Sequence, residues 1–117
     1  MNLEIICQKV CDLAKAVSQF IRAEADKVQA DDIITKYHNN LVSYVDKEAE
    51  KRIVAGLQVI LPTAGFIVEE ETVARSTNEY QWIVDPLDGT TNFLYNIPSY
   101  GVSIALTYKG KVVLGVV

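Results

Sequence analysis

The chain has 117 residues, half of them hydrophobic, and a formal net charge of −4. This size and composition predict one small globular domain with a hydrophobic core and argue against a disordered chain. The acidic balance and the scattered lysines and arginines argue against nucleic acid as a partner, because a phosphate backbone attracts a basic face. The sequence lacks an apolar run of roughly 18 residues and a basic N-terminal region, so we expect a cytoplasmic protein with no membrane partner.

Apolar side chains at helical spacing predict a first amphipathic helix from about residue 3 to residue 28. The two cysteines, Cys7 and Cys11, lie one turn apart on this helix, where a disulfide has poor geometry. We therefore expect two reduced thiols in the core of a cytosolic protein.

The segment between the predicted helices is polar. We expect residues 30–32 to form a turn, residues 33–37 a short strand and residues 38–40 a second turn. A second helix is predicted to begin near Ser43 or Asp46. Asp46 is then either the N-cap itself or the residue that reaches back to Ser43 in a capping box.

The hydrophobic period changes after Pro62, which ends the second helix. Four apolar segments predict strands at residues 65–68, 81–84, 102–108 and 112–117. The last two are expected to form a hairpin that turns at Lys109-Gly110. A polar loop over residues 72–80 separates the first two. Helices followed by strands predict a layered α+β domain. Because the chain ends within an apolar β run, we expect residues 1–117 to belong to a larger fold.

Three acidic residues are expected to meet near the end of the second predicted strand. Glu69 and Asp85 each follow a four-residue apolar segment, so neighbouring strands would bring them out at the same end. Pro86 favours a turn, which would bring Asp88 round to the same point. Oxygen ligands without His or Cys select Mg²⁺, Mn²⁺ or Ca²⁺ over zinc, and Mg²⁺ suits phosphate chemistry. The alternatives are a solvated acidic loop at residues 69–71 and an ordinary Asp/Pro/Gly turn.

The residues that follow predict a phosphate site. Gly89 has no Cβ, so its backbone can approach a ligand closely. Thr90 and Thr91 would offer N–H and hydroxyl groups at a helix start, where phosphate oxygens bind. Asp46 has a second interpretation here, as a base aimed at a water in the site. The sequence shows no serine with a nearby His or Lys base, which argues against a nucleophilic side chain.

The segment Asp85-Pro-Leu-Asp-Gly-Thr-Thr-Asn-Phe93 resembles the signature of the inositol monophosphatase family, which are magnesium-dependent, lithium-sensitive phosphatases. The resemblance covers essentially the whole chain in order, including the segments before and after the signature: residues 40–46, 66–70, 82–84, 102–105 and 114–117. It implies two N-terminal helices packed on a mainly antiparallel sheet, the N-terminal half of a layered αβαβα sugar-phosphatase fold.

The resemblance also implies a role for each matching residue. A first Mg²⁺ would be held by Glu69, Asp85 and the Leu87 carbonyl, a second by Asp85 and Asp88, and a third with help from Glu69 through water. Thr90 and Asp46 would orient and deprotonate the attacking water. The phosphate and substrate would contact Asp88, Thr91 and the N–H groups of Gly89 and Thr90, with Lys36 matching a family lysine near the site. The implied reaction is direct in-line attack of metal-activated water on a phosphate monoester.

Two departures from the family pattern affect these expectations. Val68 stands where the family usually has glycine, so its side chain is expected to shift Glu69 or narrow the site. Family members are also about twice this length, and their second half carries a tryptophan-aspartate motif that completes a metal site and most contacts to the alcohol. We therefore expect the isolated chain to be inactive or nearly so.

The resemblance leaves the substrate open. We expect a small phosphorylated sugar or sugar alcohol, and a homodimer for the full-length protein. Relatives that act on 3′-phosphoadenosine 5′-phosphate tend to have lysine and an acid where Thr91 and Asn92 stand, so this sequence favours the inositol-phosphatase branch. Fructose-1,6-bisphosphate is a further alternative. A non-catalytic role, as an interaction module or half of a split protein, is the alternative of another class.

Overall fold

The computed structural model describes residues 1–26, 35–74, 76–89, 92–93 and 100–117, with Asp26 and residues 35–43 as backbone only. Two helices precede four strands in the described chain: α1 (Leu3–Asp26), α2 (Thr35–Ile60), β1 (Gly65–Val68), β2 (Tyr80–Asp88), β3 (Gly101–Tyr108) and β4 (Lys111–Val116). The strands form one sheet in the order β1-β2-β3-β4. The pairing of β1 with β2 is parallel and the other two pairings are antiparallel. This arrangement confirms the predicted α+β architecture with a mainly antiparallel sheet.

The helix α1 begins and faces the core as its sequence predicts. The Asn2 side chain accepts hydrogen bonds from the N–H groups of Glu4 and Ile5, at 3.0 and 3.2 Å, and so caps the helix. The helix is observed to Asp26, and the last two residues of the predicted span lie outside the described residues. Cys7 and Cys11 are free thiols, half-buried rather than inside the core.

The predicted start of the second helix is wrong. Residues 35–37, expected in a strand, and residues 38–40, expected in a turn, belong to α2, which begins at Thr35. Neither Gly nor Pro occurs between Thr35 and Ala55, and the Asn, His and Ser residues there lower helix propensity by only about 0.5 kcal/mol each. The helix therefore continues upstream, and Asp46 lies in its interior rather than at a cap.

The core lies between the two helices and one face of the sheet. Alternate residues of the strands, Phe66, Trp82, Val84, Ile104 and Leu106, are buried against the helices. The helices contribute an apolar face to the same core: Ile6, Val10, Val17 and Ile21 from α1, and Val45, Ala49, Ile53 and Leu57 from α2. The opposite face of the sheet is more open, with Ile83 42% and Val113 38% exposed. Among the described residues, no helix is both long and apolar enough to cross a membrane.

The strands agree with the predicted segments except at the ends of β2. The hairpin of β3 and β4 turns at Lys109-Gly110 as predicted, and both residues adopt positive φ, 49° and 84°. The strand β2 extends beyond the predicted residues 81–84 to Asp88, through the proline that was expected to turn the chain. This extension affects the candidate site and is described below.

Replacing Gly65 with alanine should destabilise the fold, because a Cβ at this position would overlap the Ser76 hydroxyl. That hydroxyl accepts a hydrogen bond from the Phe66 N–H at 3.2 Å at the start of β1. We expect Gly65→Ala to lower the free energy of unfolding by about 1–3 kcal/mol, measured by urea denaturation. The matched control is Gly115→Ala in β4, where a Cβ meets nothing within 4 Å. Equal stability of the two variants would contradict this explanation.

Candidate active site

The parallel pairing of β1 and β2 brings Glu69 and Asp85 to the same edge of the sheet. In the register Val68 is opposite Val84, so Glu69 and Asp85 are the next residues on adjacent chains. Their carboxyl groups share a side-chain hydrogen bond. The prediction that these two acids emerge together is confirmed, although the metal ligation assigned to them stays a prediction.

The Glu69 carboxyl titrates near neutral pH rather than in the acidic range of an ordinary glutamate. The hydrogen bond to Asp85 is the largest cause, followed by partial burial and the negative charges of Asp85, Glu70 and Glu50, and together they raise the pKa of Glu69 to about 7. Two carboxyl groups can share a hydrogen bond only while one of them is protonated. A proton shared by the pair offsets one of its two negative charges, and a bound cation would offset them in the same way.

Asp46 faces the same pair from α2. Its carboxyl is half-buried, and burial is the main cause that raises its pKa to about 7. The charges of Glu70, Glu69, Asp85 and Glu50 add to the shift. We call these five residues the acidic cluster: Asp46, Glu50, Glu69, Glu70 and Asp85. The N-cap interpretation of Asp46 is wrong, and its position beside the cluster leaves the interpretation as a base in the site.

Glu50, which lies one turn beyond Asp46 on α2, is a buried acid that was not predicted from the sequence. Its side chain is fully buried and accepts hydrogen bonds from the segment that follows Glu69. The available signal was its spacing, because residues four apart lie on the same face of a helix. An acid at this spacing from a candidate site residue points into the same region.

A β-bulge, rather than a turn, brings Asp88 to the side of the sheet that carries Asp85. Asp85 is opposite Ser103 and Asp88 is opposite Gly101, so β2 has one more residue than β3 in this interval. A regular strand would send two residues three apart to opposite faces. Pro86 has no N–H for the ladder, and the Leu87 N–H donates to the Asp85 carboxylate at 3.3 Å. The turn predicted at Pro86 is therefore wrong, although Asp88 lies on the same side of the sheet as Asp85.

The backbone at Gly89 supports the predicted phosphate site. Gly89 has a φ of 91°, which residues with a Cβ rarely adopt. Its carbonyl accepts a hydrogen bond from the Phe93 N–H at 3.0 Å, the spacing of a helical turn. The Phe93 ring is fully buried and packs edge-on against Tyr100, with ring centroids 5.5 Å apart. Thr90, Thr91 and the Lys36 side chain lie outside the described residues, so their roles stay predictions.

The three-carboxylate convergence is not observed in the described part of the chain. Asp88 is exposed at the end of β2, and no three His, Cys, Asp or Glu side chains there are grouped closely enough to hold a metal ion. Glu69 and Asp85 nevertheless offer carboxylate oxygens at one edge of the sheet, the donor type that suits a hard divalent cation, whereas the Leu87 carbonyl as a ligand stays a prediction. The shared proton between Glu69 and Asp85 supports this fit.

A pocket of about 310 Å³ adjoins the Glu69–Asp85 pair. It lies on the sheet face opposite the helices, with Ile67, Ile83 and Ala105 among its lining residues. Val68, which we expected to shift Glu69 or narrow the site, packs against the core and also lines this pocket. The pocket therefore combines an acidic edge with an apolar floor, at the lower end of the volumes typical of small-molecule sites.

Known proteins that resemble this chain match it over most of its length. The inositol-1-monophosphatase of Mesorhizobium japonicum is 38% identical over 116 residues, which cover 98% of this chain and 42% of that protein. The Nus factor SuhB of Pseudomonas aeruginosa is 36% identical, covering 84% of this chain and 37% of its own. The solved inositol monophosphatase from Anabaena superposes with a TM-score of 0.77 at 26% identity, over 98% of this chain and 40% of that one.

These matches place the chain in the N-terminal part of longer relatives, since it spans about two fifths of their length. The arrangement of two helices on a four-stranded mixed sheet is common to this chain and the solved structures it resembles. The family model for the inositol monophosphatase family matches residues 2–117. The chain belongs to the inositol monophosphatase family.

Proposed function

We propose that residues 1–117 are the N-terminal, metal-binding half of a Mg²⁺-dependent phosphatase that hydrolyses a small sugar or sugar-alcohol phosphate. The observation that carries this proposal is the proton-sharing pair of Glu69 and Asp85 at the sheet edge where the Asp85–Phe93 signature begins. Family membership and the names of the relatives support phosphate ester chemistry.

The oxygen atoms near the bulge are the proposed cation ligands. Glu69, Asp85 and the Leu87 carbonyl would hold a first Mg²⁺, and Asp85 with Asp88 a second. When bound, Mg²⁺ would lower the pKa of a water ligand and offset negative charge on the phosphate. Glu69 and Asp85 would release their shared proton on binding, which makes the affinity depend on pH.

The remaining site residues are proposed to position the phosphate and the water. The N–H groups of Gly89 and Thr90 would donate to phosphate oxygens, and the positive φ of Gly89 permits that approach. Asp88 and Thr91 would contact the substrate. Asp46 and Thr90 would orient the attacking water, and Asp46, whose pKa is raised by burial and by the charges of Glu70, Glu69 and Asp85, would accept its proton.

Two alternatives are supported by the names of relatives. A protein of Aquifex aeolicus, 35% identical over 104 residues, is called a fructose-1,6-bisphosphatase/inositol-1-monophosphatase, which keeps a sugar bisphosphate among the candidate substrates. Several relatives are called Nus factor SuhB, which keeps a role as an interaction module among the alternatives. The retention of Glu69, Asp85, Asp88 and Thr90 argues for a working site. Assembly of the full-length protein as a cytoplasmic homodimer stays a prediction.

Asp85→Asn should reduce Mg²⁺ affinity by about tenfold or more, because one ligand oxygen of the set loses its charge. Isothermal titration with Mg²⁺ measures this. The matched control is Asp12→Asn on α1, an exposed acid that accepts a hydrogen bond from Gln8 at 3.1 Å. Because Asp85→Asn also removes a like charge, the metal-free variant should melt no lower than wild type. Unchanged Mg²⁺ affinity in Asp85→Asn would contradict the proposed ligand set.

The isolated chain should bind Mg²⁺ but release little phosphate, because it spans 42% of the Mesorhizobium relative. Phosphate release from inositol 1-phosphate, fructose 1,6-bisphosphate and 3′-phosphoadenosine 5′-phosphate measures this directly. Robust, Mg²⁺-dependent turnover by residues 1–117 alone would show that the essential ligands have been assigned wrongly. The same assay on a chain of the relatives' full length would rank the three substrates.

The metal-free chain should lose stability as the pH rises from about 5 to about 8. The pKa values of Asp46 and Glu69 are raised to about 7 by folding, from ordinary values near 4. The folded chain therefore binds more protons than the unfolded chain in this interval, and its free energy of unfolding falls as the pH rises through 7. Melting temperatures measured in chelator at both pH values should show the decrease.

Two variants control the pH experiment. Glu69→Gln should flatten the dependence because it removes one titrating carboxyl, whereas Glu4→Gln, which changes an exposed acid on α1, should leave it intact. Saturating Mg²⁺ should restore stability at the higher pH, since a ligand bound only by the folded state stabilises it. A metal-free protein that is more stable at pH 8 than at pH 5 would refute the explanation.

A further inference from the structure

Glu50 is a buried acid whose side chain holds the segment that carries Glu69. We propose that Glu50 is a positioning residue, which sets the direction of the Glu69 carboxyl toward Asp85 by binding the backbone just beyond it. This inference rests on the proposed function for its consequence in metal binding. The Glu50 side chain is 0% exposed, and both of its carboxylate oxygens accept hydrogen bonds.

Three donors converge on this carboxylate. The Glu70 N–H donates to Oε1 at 2.7 Å, and the Thr72 N–H and hydroxyl donate to Oε2 at 3.0 and 2.6 Å. A buried carboxylate is unfavourable unless such donors satisfy it, and hydrogen bonds to charged groups are the strong ones. We call this set of three contacts the Glu50 clamp.

The clamp leaves Glu69 little freedom. On one side of Glu69, Val68 is paired with Val84 in the parallel ladder of β1 and β2. On the other side, the Glu70 N–H is bound by Glu50. A residue whose two neighbours are both fixed has its own backbone direction fixed as well. The Glu69 side chain therefore projects from a defined position toward Asp85.

The backbone between the two clamped amides has an unusual conformation that the clamp explains. Glu71 has a φ of 55°, in the left-handed region that residues with a Cβ rarely adopt and that costs roughly 1 kcal/mol or more. Such a conformation persists only where surrounding contacts determine it. The bonds to Glu70 and Thr72 on either side of Glu71 supply those contacts.

The position of Glu50 on α2 links two parts of the site. Asp46 and Glu50 are four residues apart on one helix, so the same face of α2 carries the Asp46 carboxyl, which feels the charges of Glu69 and Asp85, and the Glu50 carboxyl of the clamp. A displacement of α2 would move both together. Helix α2 and the Glu50 clamp together therefore set the placement of Asp46 relative to the segment that follows Glu69.

Glu50→Gln tests the clamp because it keeps the size of the side chain but replaces one acceptor oxygen with a donor. Amide hydrogen exchange in the metal-free protein, followed by NMR, should accelerate by roughly tenfold or more at Glu70 and Thr72. The matched control is Glu48→Gln on the same helix, whose carboxylate pairs with Arg52 at the surface, and it should change neither amide. Unchanged exchange in Glu50→Gln, or an equal acceleration across β2 and β3, would overturn the proposal.

A second variant covers the case in which Glu50→Gln does not fold. Thr72→Val removes the hydroxyl donor and leaves both amides in place, so a smaller acceleration at Glu70 and Thr72 is expected in a folded chain. No acceleration in this variant would likewise count against the clamp.

Mg²⁺ titration of the same variants tests the consequence for the site. Glu50→Gln should weaken binding by roughly tenfold, the scale typical of residues that orient metal ligands, with Glu48→Gln unchanged. Full Mg²⁺ affinity in a Glu50→Gln protein with accelerated exchange would overturn the positioning role. Failure of wild type to bind Mg²⁺ would instead refute the proposed function, and the exchange experiment would still decide whether the clamp holds Glu69.

Discussion

The parallel pairing of β1 with β2 is the constraint on which the candidate site depends. The other two pairings in the sheet are antiparallel, and an antiparallel partner would place the residue after its strand at the opposite edge. Parallel strands run in the same direction, so Glu69, the residue after β1, lies beside Asp85, the next residue of β2. This one pairing makes Glu69 and Asp85 share a hydrogen bond despite their separation along the chain.

Bringing acids together opposes folding, and the structure limits this effect in two ways. The raised pKa of Glu69 lets its pair with Asp85 bind a proton near neutral pH, which reduces the negative charge there. The Glu50 carboxylate is instead satisfied by three donors in the buried clamp. The proposed Mg²⁺ would take the place of this proton, whereas the hydrogen bonds of the clamp are structural. Within the acidic cluster, the pair of Glu69 and Asp85 can therefore gain or lose a proton near neutral pH, whereas Glu50 holds the backbone in place.

Local sequence patterns predicted the strands and the contact between Glu69 and Asp85. They did not predict the start of α2 or the role of Glu50. The apolar segments at residues 65–68 and 81–84 indicated strands, and each was followed directly by its acid. The start of α2 was predicted wrongly because the polar residues at its beginning resemble a turn. These residues are helical as the first turns of a helix that runs on to Ile60. Glu50 was missed because its partners, Glu70 and Thr72, are distant in sequence and bind through backbone groups.

The alternation along β2 assigns the core and the site to opposite sides of one strand. Trp82 and Val84 face the core, whereas Ile83 and Asp85 line the pocket. A shift of one residue in register would exchange these sets, burying Asp85 and exposing Trp82, so core packing fixes the position of the acid. The bulge after Asp85 then breaks the alternation at the one place where two acids three residues apart need the same side. Core packing and site geometry are thus determined by the same register.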